Sequence, residues 1–544
     1  MLAKTKILVT ILAMGSLEKE IKTWFTNHVK DDGHPYSLDK HQAAIIADSH
    51  KNTLVTARAG SGKTRTIVAK IVFLLAHEHI EPEKIIVFAF NRKAKTEINE
   101  RLTKITYNNR PLFKKPPHLA TTFHAFAYQI LGGKKILDGK IITESQENTI
   151  LRNITKKYLL AKTDFATLAH QSQIAKQFII KTEQKFFKNY AELDQKIEIE
   201  KNTELQTLNR IFKDYQRELT AKNLINFNQM MEKASSYLEI LARDATTDKT
   251  TPTVTKNLNF SYIFVDEYQD FSLLFLNLIQ SLRQICPDSH LLAVGDDWQA
   301  INRFAGSDVE YFLHFENYFT EDCAKLFIPT NYRSGKQIVK NANFFMGQAL
   351  KDYNGCKSGN KNKAAIYLKN IAYHQNTTEK TNKTPLLLKN YLETIIQIIK
   401  ENTGKTVKIL HRNNVLSFRN WSLEKFVNLV REQVVREHIL TENAASALIS
   451  ESTIHRSKGL EADVVILLEI DAEKFPGKDK TGGLYHIFGE TEQTLFSDEA
   501  RLFYVALTRP KEKLYILSKT TKIVKETKKY NFLSYLNEDW LNPL

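Results

Sequence analysis

Cysteine is scarce in this chain of 544 residues: there are three, Cys286, Cys323 and Cys356, and none lies in a Cys-x-x-Cys pair or near a matching histidine pair. That leaves no basis for a disulfide framework or a zinc site, and it points to the reducing cytoplasm as the natural location. Long apolar runs are also lacking. No stretch after the N-terminus reaches the ~18 apolar residues of a membrane span, so no membrane partner is expected. Lys4 and Lys6 precede the apolar run Ile7 to Met14, the outline of a secretory signal. The run is short and no small-x-small cleavage site follows it. A buried first element, or initiation at Met14, are the plainer readings. Repeats of solenoid type are missing. Proline and glycine are missing from Glu144 to Leu241, a stretch rich in Lys, Glu, Gln and Leu at helical spacing. That segment is expected to be helical throughout.

Acidic charge is in short supply. There are 61 acidic and 77 basic side chains, a formal net charge of +16. Such a balance suits a polyanionic partner, most simply a nucleic acid. A lysine-rich, solvated surface is the alternative reading of the same number. The 42% hydrophobic content provides material for several cores rather than one.

Outside the helical stretch the pattern is an apolar run, a loop of small or charged residues, then a helical segment. It occurs at Asn52 to Ala57, Ile85 to Phe90, Ile263 to Val265 and Leu291 to Val294. A second set begins near Phe327 and resumes at Val407 to Leu410, Val464 to Leu468 and Leu514 to Leu517. This is the alternation of α/β units around mostly parallel sheets, with functional groups expected at the strands' C-terminal ends. Asn354 to Lys383 is polar and lysine-rich, as expected of a surface excursion.

One of those strand ends carries a phosphate-binding loop. Leu54 to Arg65 reads Leu-Val-Thr-Ala-Arg-Ala-Gly-Ser-Gly-Lys-Thr-Arg. Gly60 and Gly62 let the backbone of Ala59, Gly60, Ser61 and Gly62 turn its N–H groups toward phosphate oxygens. Lys63 can reach the β- and γ-phosphates of a nucleotide, and the Thr64 hydroxyl can ligate Mg²⁺. Ala57 stands where the usual first glycine would be. Downstream, Ile263-Phe-Val-Asp266-Glu267 is an apolar strand ending in two carboxylates. One can hold Mg²⁺ and the other can take a proton from an attacking water. Gln269 and Asp270 follow, so a plain solvent-facing acidic strand end explains the segment less well.

Asp266-Glu-Tyr-Gln-Asp270 resembles the ATPase motif of UvrD/Rep-type superfamily 1 helicases. Other stretches resemble the family's motifs in order: Gln42 after Leu38 and Asp39, Phe88 to Ala94, Thr122 to Ala125, Gly295 to Gln299 with Arg303 and Phe304, Asn331 to Ser334, Thr453 to Glu461, and Tyr504 to Arg509. The wording around Trp298, Asp463 and Tyr504 to Arg509 most resembles the helicase IV branch. The resemblance implies two RecA-like parallel-sheet domains forming an ATP cleft: residues 1–131 and 242–322, then 323–544, with 132–241 a helical accessory insert in the first. It implies a DNA-dependent ATP hydrolase that moves 3′ to 5′ along single-stranded DNA, with ATP and Mg²⁺ as cofactors. Lys63, Thr64 and Asp266 would hold phosphates and metal, and Glu267 would be the general base. Gln299 would sense the γ-phosphate, and Arg333 and Arg509 would be arginine fingers. Gln42 would read adenine, Arg65 and Tyr332 would sandwich it, and Glu461 would touch the sugar. Phe90, Asn91, His124, Arg303, Phe304 and His455 would meet DNA, the aromatic rings by stacking without regard to sequence.

The chain also departs from the family. Asn302 stands where an aromatic is common, Ala305 where an arginine often sits, and Asn226 and Asn228 flank Phe227 where acids are frequent. The second accessory insert would fall between Asn414 and Thr453, where 38 residues suffice for two short helices and no full subdomain. The helicase IV branch's extra N-terminal domain is not expected either, with about forty residues before Gln42. The expectation is a minimal motor acting on single strands and on junctions with 3′ tails. A nuclease or repair partner, or a role as the ATP-switched DNA-binding subunit of a nuclease or defence complex, remains open.

Overall fold

The computed structural model describes residues 16–132, 137, 139–159, 165–186, 189–247, 258–371, 383–416, 421–471, 475, 477, 484–518 and 531–543. The apolar run Ile7 to Met14, and residues 372–382 of the polar tract Asn354 to Lys383, fall outside them. The chain divides into two compact units. The first comprises Met1–Ala57, Lys63–Ile328 and Thr481–Glu490; the second comprises Arg58–Gly62, Pro329–Lys480 and Thr491–Leu544.

The first unit is built on six parallel strands in the order Cys323–Ile328, Asn52–Ala57, His290–Gly295, Tyr262–Val265, Ile85–Ala89 and Ala120–Thr122. Side chains alternate along each strand between two cores. Leu54, Ile86, Phe88, Ile263 and Ala293 point into one, while Val55, Val87, Phe264, Leu292 and Val294 point into the other. Both faces are thus covered, which is why these strands read as apolar runs rather than as an apolar–polar alternation. The strands expected at Asn52, Ile85, Ile263 and Leu291 all form, within a residue at either end.

Two expected boundaries differ. Cys323–Ile328 was assigned above to the second domain, but it pairs in parallel with the phosphate-loop strand, from Cys323 opposite Asn52 to Ile328 opposite Ala57. It therefore closes the first sheet, and the break in the chain follows it. The helical stretch consists of Glu144–Tyr158, Phe165–Lys185, Tyr190–Glu200, Thr203–Ala221 and Phe227–Thr247. The last of these buries Met230, Met231, Ala234, Leu238 and Leu241 in the core beneath the sheet. An insert ending at 241 would cut through this helix. The first four helices make a core of their own, lined by Ile154, Phe178, Leu208, Phe212 and Tyr215. That core is completed by Leu484, Ile487 and Phe488, from far along the chain. Phe488 sits edge-on to Phe178, and Glu490 pairs with Lys181.

The second unit has its own six parallel strands, in the order Ile449–Thr453, Val407–His411, Ala462–Leu468, Pro510–Ser518, Ala365–Asn370 and Leu541–Pro543. Among the described residues between Asn414 and Thr453 stand two helices, Leu423–Arg436 and Glu442–Leu448. Ser422 and Thr441 cap them, each accepting a backbone N–H from three residues on. Among the described residues no helix is long and apolar enough to cross a membrane.

Candidate nucleotide site and candidate DNA contacts

The strand Asn52–Ala57 runs into the loop 58–62, and Lys63 opens a helix of 14 residues, Lys63–Ala76. Gly60 and Gly62 have φ of 75° and 83°, a region L-residues occupy at a cost. The Lys63 Nζ donates to the Ala57 carbonyl at 3.4 Å. Loop residues 58–62 count with the second unit because that is where their partners lie. The Asn331 side-chain amide donates to the Ala59 carbonyl at 2.6 Å, the Tyr332 N–H to Gly60 at 2.8 Å, and the buried Arg58 Nε to Asn354 at 2.8 Å. A Cβ added to Gly60 would stand 2.7 Å from the Arg333 Cβ. Ser61 is buried, and its hydroxyl has no partner among the described residues.

Asp266 and Glu267 follow the strand Tyr262–Val265. The Asp266 N–H donates to the Phe88 carbonyl at 2.9 Å, and its carboxylate accepts the Glu267 N–H at 2.9 Å. Glu267 adopts φ of 54°, a left-handed conformation that turns the chain sharply between the two acids. Burial and then the neighbouring Glu267 charge push Asp266 up to about 7, against the pull of Lys63. The Gln269 side chain joins this corner to the next strand: its amide donates to Glu267, and its carbonyl accepts the Asp296 N–H at 2.8 Å. Asp296 in turn accepts the Gln299 side-chain amide at 2.6 Å. Glu267, Gln269, Asp296 and Gln299 are therefore one hydrogen-bonded chain within the first unit.

The other expected nucleotide contacts fall in two groups. Asp39 and Gln42 form a reciprocal cap on the helix Lys40–Ala47, which fixes the Gln42 side chain. Arg65 lies 4.6 Å over the ring of Tyr36 and donates to the Ser37 carbonyl at 3.2 Å. The Tyr36 hydroxyl, pushed up to about 12 by burial against the pull of Arg65, donates back to the Arg65 carbonyl at 2.8 Å. Tyr36 was not foreseen; nothing in its local sequence marks it. In the second unit, Tyr332 is half-exposed, and Arg333 donates to the Glu461 carboxylate at 2.7 Å and to the Thr508 carbonyl at 3.4 Å. Burial opposes ionisation of Glu461, but Arg333 and Lys511 hold it below the usual carboxylate range. Arg509 is fully buried and donates to the carbonyls of Val505, Leu460 and Ser457. Glu461, expected at the nucleotide sugar, thus holds an arginine here.

Of the expected DNA contacts, Phe304 is 48% exposed and Arg303 half-buried beside it. Phe90 packs partly against the sheet core. Asn91 is exposed and caps the helix Arg92–Lys104 through the Ala94 N–H. His124 meets the rings of Phe227 and Phe275 edge-on, and burial lowers its pKa. Phe227 is 52% exposed. In the second unit, burial and then the charge of Arg412 bring His455 down to about 4, so it is neutral at physiological pH.

Comparison with known proteins supplies the classification. Residues 38–320 match the UvrD/REP helicase N-terminal domain. The chain belongs to the UvrD/REP helicase family. Residues 417–521 match the UvrD-like helicase C-terminal domain. DNA helicase IV of Escherichia coli K12 is 26% identical over 522 residues, covering 88% of this chain and 68% of that protein. A probable DNA helicase of Mycoplasma pneumoniae is 25% identical over 526 residues, covering 88% of this chain and 83% of its own length. A probable DNA helicase II homolog of Mycoplasma capricolum is 28% identical over 339 residues, covering 61% of this chain and 44% of that relative. The family is one of ATP-hydrolysing DNA helicases with RecA-like folds, and both parallel sheets agree with that.

ATP with Mg²⁺ fits the residues present. A loop with two left-handed glycines, a buried Ser61 hydroxyl without a partner among the described residues, and a following helix N-terminus make a cradle for phosphate oxygens. Two adjacent acids, one buried and raised to about 7, form a corner that a divalent cation would return to its anionic form.

Proposed function

We propose that this protein is an ATP-driven motor that moves 3′ to 5′ along single-stranded DNA and separates strands weakly, or with the help of a partner. The observation that carries the reading is the continuous hydrogen-bonded chain from Glu267 through Gln269 and Asp296 to Gln299, on a segment that leads directly to Arg303 and Phe304. The same loop is tied to that corner by the Ser307 hydroxyl, which donates to the Asp270 carbonyl at 2.8 Å, and by the Asp308 N–H, which donates to the Phe271 carbonyl at 2.9 Å, so that in this reading chemistry at Glu267 is coupled to the DNA-facing loop through polar contacts.

In this reading the phosphate loop and Lys63 hold the β- and γ-phosphates, with the helix N-terminus adding favourable polarity. Thr64 and Asp266 would hold Mg²⁺, which when bound neutralises phosphate charge. Glu267 accepts a proton from water as the water oxygen bonds to the γ-phosphorus. The bond to the bridging oxygen breaks and ADP keeps that oxygen. Gln299 aligns the water or the γ-phosphate. Arg333 and Arg509 supply positive charge as the transition state spreads charge over the phosphoryl oxygens. The exposed Phe304 ring and the His124 edge offer faces to bases, and Arg303 offers charge to the backbone.

The two short helices between Asn414 and Thr453 are too little for a second accessory subdomain, which motivates weak or partner-dependent unwinding. ATP hydrolysis with and without poly-dT, then unwinding of duplexes with a 3′ or a 5′ tail, test the proposal. Stimulation by DNA with preference for 3′ tails is expected. A preference for 5′ tails would overturn the polarity, and strong unwinding by the isolated monomer would overturn the minimal-motor reading.

A further inference from the structure

The amides at 226 and 228, where the family often has acids, acquire a physical reason in the structure. Asn226 caps the helix Phe227–Thr247: its side-chain carbonyl accepts the Gln229 N–H at 2.8 Å, while the Gln229 side chain accepts the Asn226 N–H at 3.1 Å. The same side chain's amide nitrogen donates to the Glu183 carboxylate at 2.8 Å. Asn228 has the same double use. It accepts from the Gln184 amide at 3.3 Å and donates to the other Glu183 oxygen at 2.7 Å. Each position must accept with one atom and donate with the other. Asparagine can do this and an ionised aspartate cannot. The carboxylate that the acids would have carried is supplied instead by Glu183, at the C-terminal end of the helix Phe165–Lys185.

Glu183 is fully buried. Burial pushes it up to about 7, and the two amide donors pull it back. Around it, the same helix end grips the loop that carries Arg303 and Phe304. Lys185 pairs with Asp308, and a Cβ on Gly306 would stand 2.4 Å from the Gln184 side chain. Between the two clamped asparagines stands Phe227, half-exposed, its ring centre 5.4 Å from that of His124.

We propose that Glu183 is a positioning residue for single-stranded DNA: it holds Asn226 and Asn228 so that Phe227 stands outward beside His124, on the same helix end that fixes the Arg303–Asp308 loop. This rests on the DNA-motor reading above. Glu183 touches neither nucleotide nor DNA and acts through the two amides.

The test exchanges acid and amide. Asn226→Asp sets two carboxyl groups against each other. It should raise the single-stranded DNA concentration for half-maximal ATPase stimulation about tenfold, the loss of a charge-assisted hydrogen bond. DNA-free turnover should not change. Glu183→Gln combined with Asn226→Asp reverses the pair: the amide introduced at 183 would donate to the carboxylate introduced at 226 and accept from Asn228. Half-activation should return to within about threefold of wild type, as coupled sites compensate. A merely structural role would move melting temperature and turnover together and would not separate DNA affinity from basal rate. If Asn226→Asp does not fold, recovery of folded, normally DNA-activated protein in the double variant is the readout, and its failure overturns the inference. Wild-type DNA activation in folded Asn226→Asp also overturns it. A wild-type enzyme that neither binds nor responds to single-stranded DNA overturns the motor reading, and this one with it.

Discussion

Gly295 ends the strand His290–Gly295 at the point where the Gln269 side chain crosses from Glu267 to the Asp296 backbone. A methyl group there would stand 2.6 Å from the Gln269 Oε1, 3.0 Å from the Gln269 backbone nitrogen and 2.8 Å from the Phe312 ring. Real carbon contacts lie nearer ~3.5–4.0 Å, so something must move. Phe312 is buried and held by the core beneath the sheet, and the Gln269 backbone belongs to a tight turn. The Gln269 side chain is the part that yields, and when it does the bond to Asp296 and the hold on Glu267 go together. Overpacking of this kind costs roughly 1–3 kcal/mol, and a lost neutral hydrogen bond adds about 1 kcal/mol. If about half of that, roughly 1–2 kcal/mol, falls on the alignment of Glu267, turnover drops roughly fivefold to thirtyfold, at about 1.4 kcal/mol per decade. Gly295→Ala should therefore retain a cooperative melt, lowered by only a few degrees, and bind a nonhydrolysable ATP analogue nearly normally while losing DNA-stimulated turnover. Steady-state ATP hydrolysis with saturating poly-dT, beside a melting curve and analogue titration, measures all three. Full turnover in a folded Gly295→Ala protein would refute the Gln269 relay. Loss of turnover and analogue binding in parallel would mean that the site collapses as a whole.

Lys63→Ala should abolish ATP hydrolysis while leaving DNA affinity largely intact, checked by phosphate release and by fluorescence anisotropy of labelled DNA. Raising salt from about 50 to about 200 mM should weaken DNA binding steeply, because neutralised phosphates release counterions; a flat response would argue against backbone contacts. Asp266 gives a pH prediction. Its folded pKa, about 7, lies above its unfolded value, so its contribution to stability is present in acid and is lost as pH rises through about 7. The melting temperature of nucleotide-free wild type, compared with Asp266→Asn, should therefore fall between about pH 5 and about pH 7.5. Equal slopes in the two proteins would show that the pair is not proton-linked.

The chemistry was more legible in the sequence than the architecture around it. Gly60, Gly62, Lys63, Asp266 and Glu267 stand out as candidates because phosphate and metal binding would restrict residue type at fixed offsets from a strand end, and the strand ends themselves are plain apolar runs. What stayed hidden depends on pairing at a distance. The strand Cys323–Ile328 is apolar apart from Lys325 but mostly only partly buried, and its sequence does not state which sheet it joins. Glu183 lies in a helix of ordinary composition, and only the fold brings it to Asn226 and Asn228. The pairing of Arg333 with Glu461 spans 128 positions, and no local pattern announces it.

The segment Leu484–Phe488, folded into the core of the four insert helices, bears on the order in which the molecule can be made. Phe178, Phe186 and Lys181 await partners that leave the ribosome only after synthesis has passed residue 490. Until then the first unit has its sheet but an unfinished insert, with apolar side chains open to water and to chaperones. A chain truncated before 484 would carry every motif of the first unit and still be unable to complete it. Dissecting this protein into halves at the break after Ile328 therefore separates its sequence cleanly and its folding not at all.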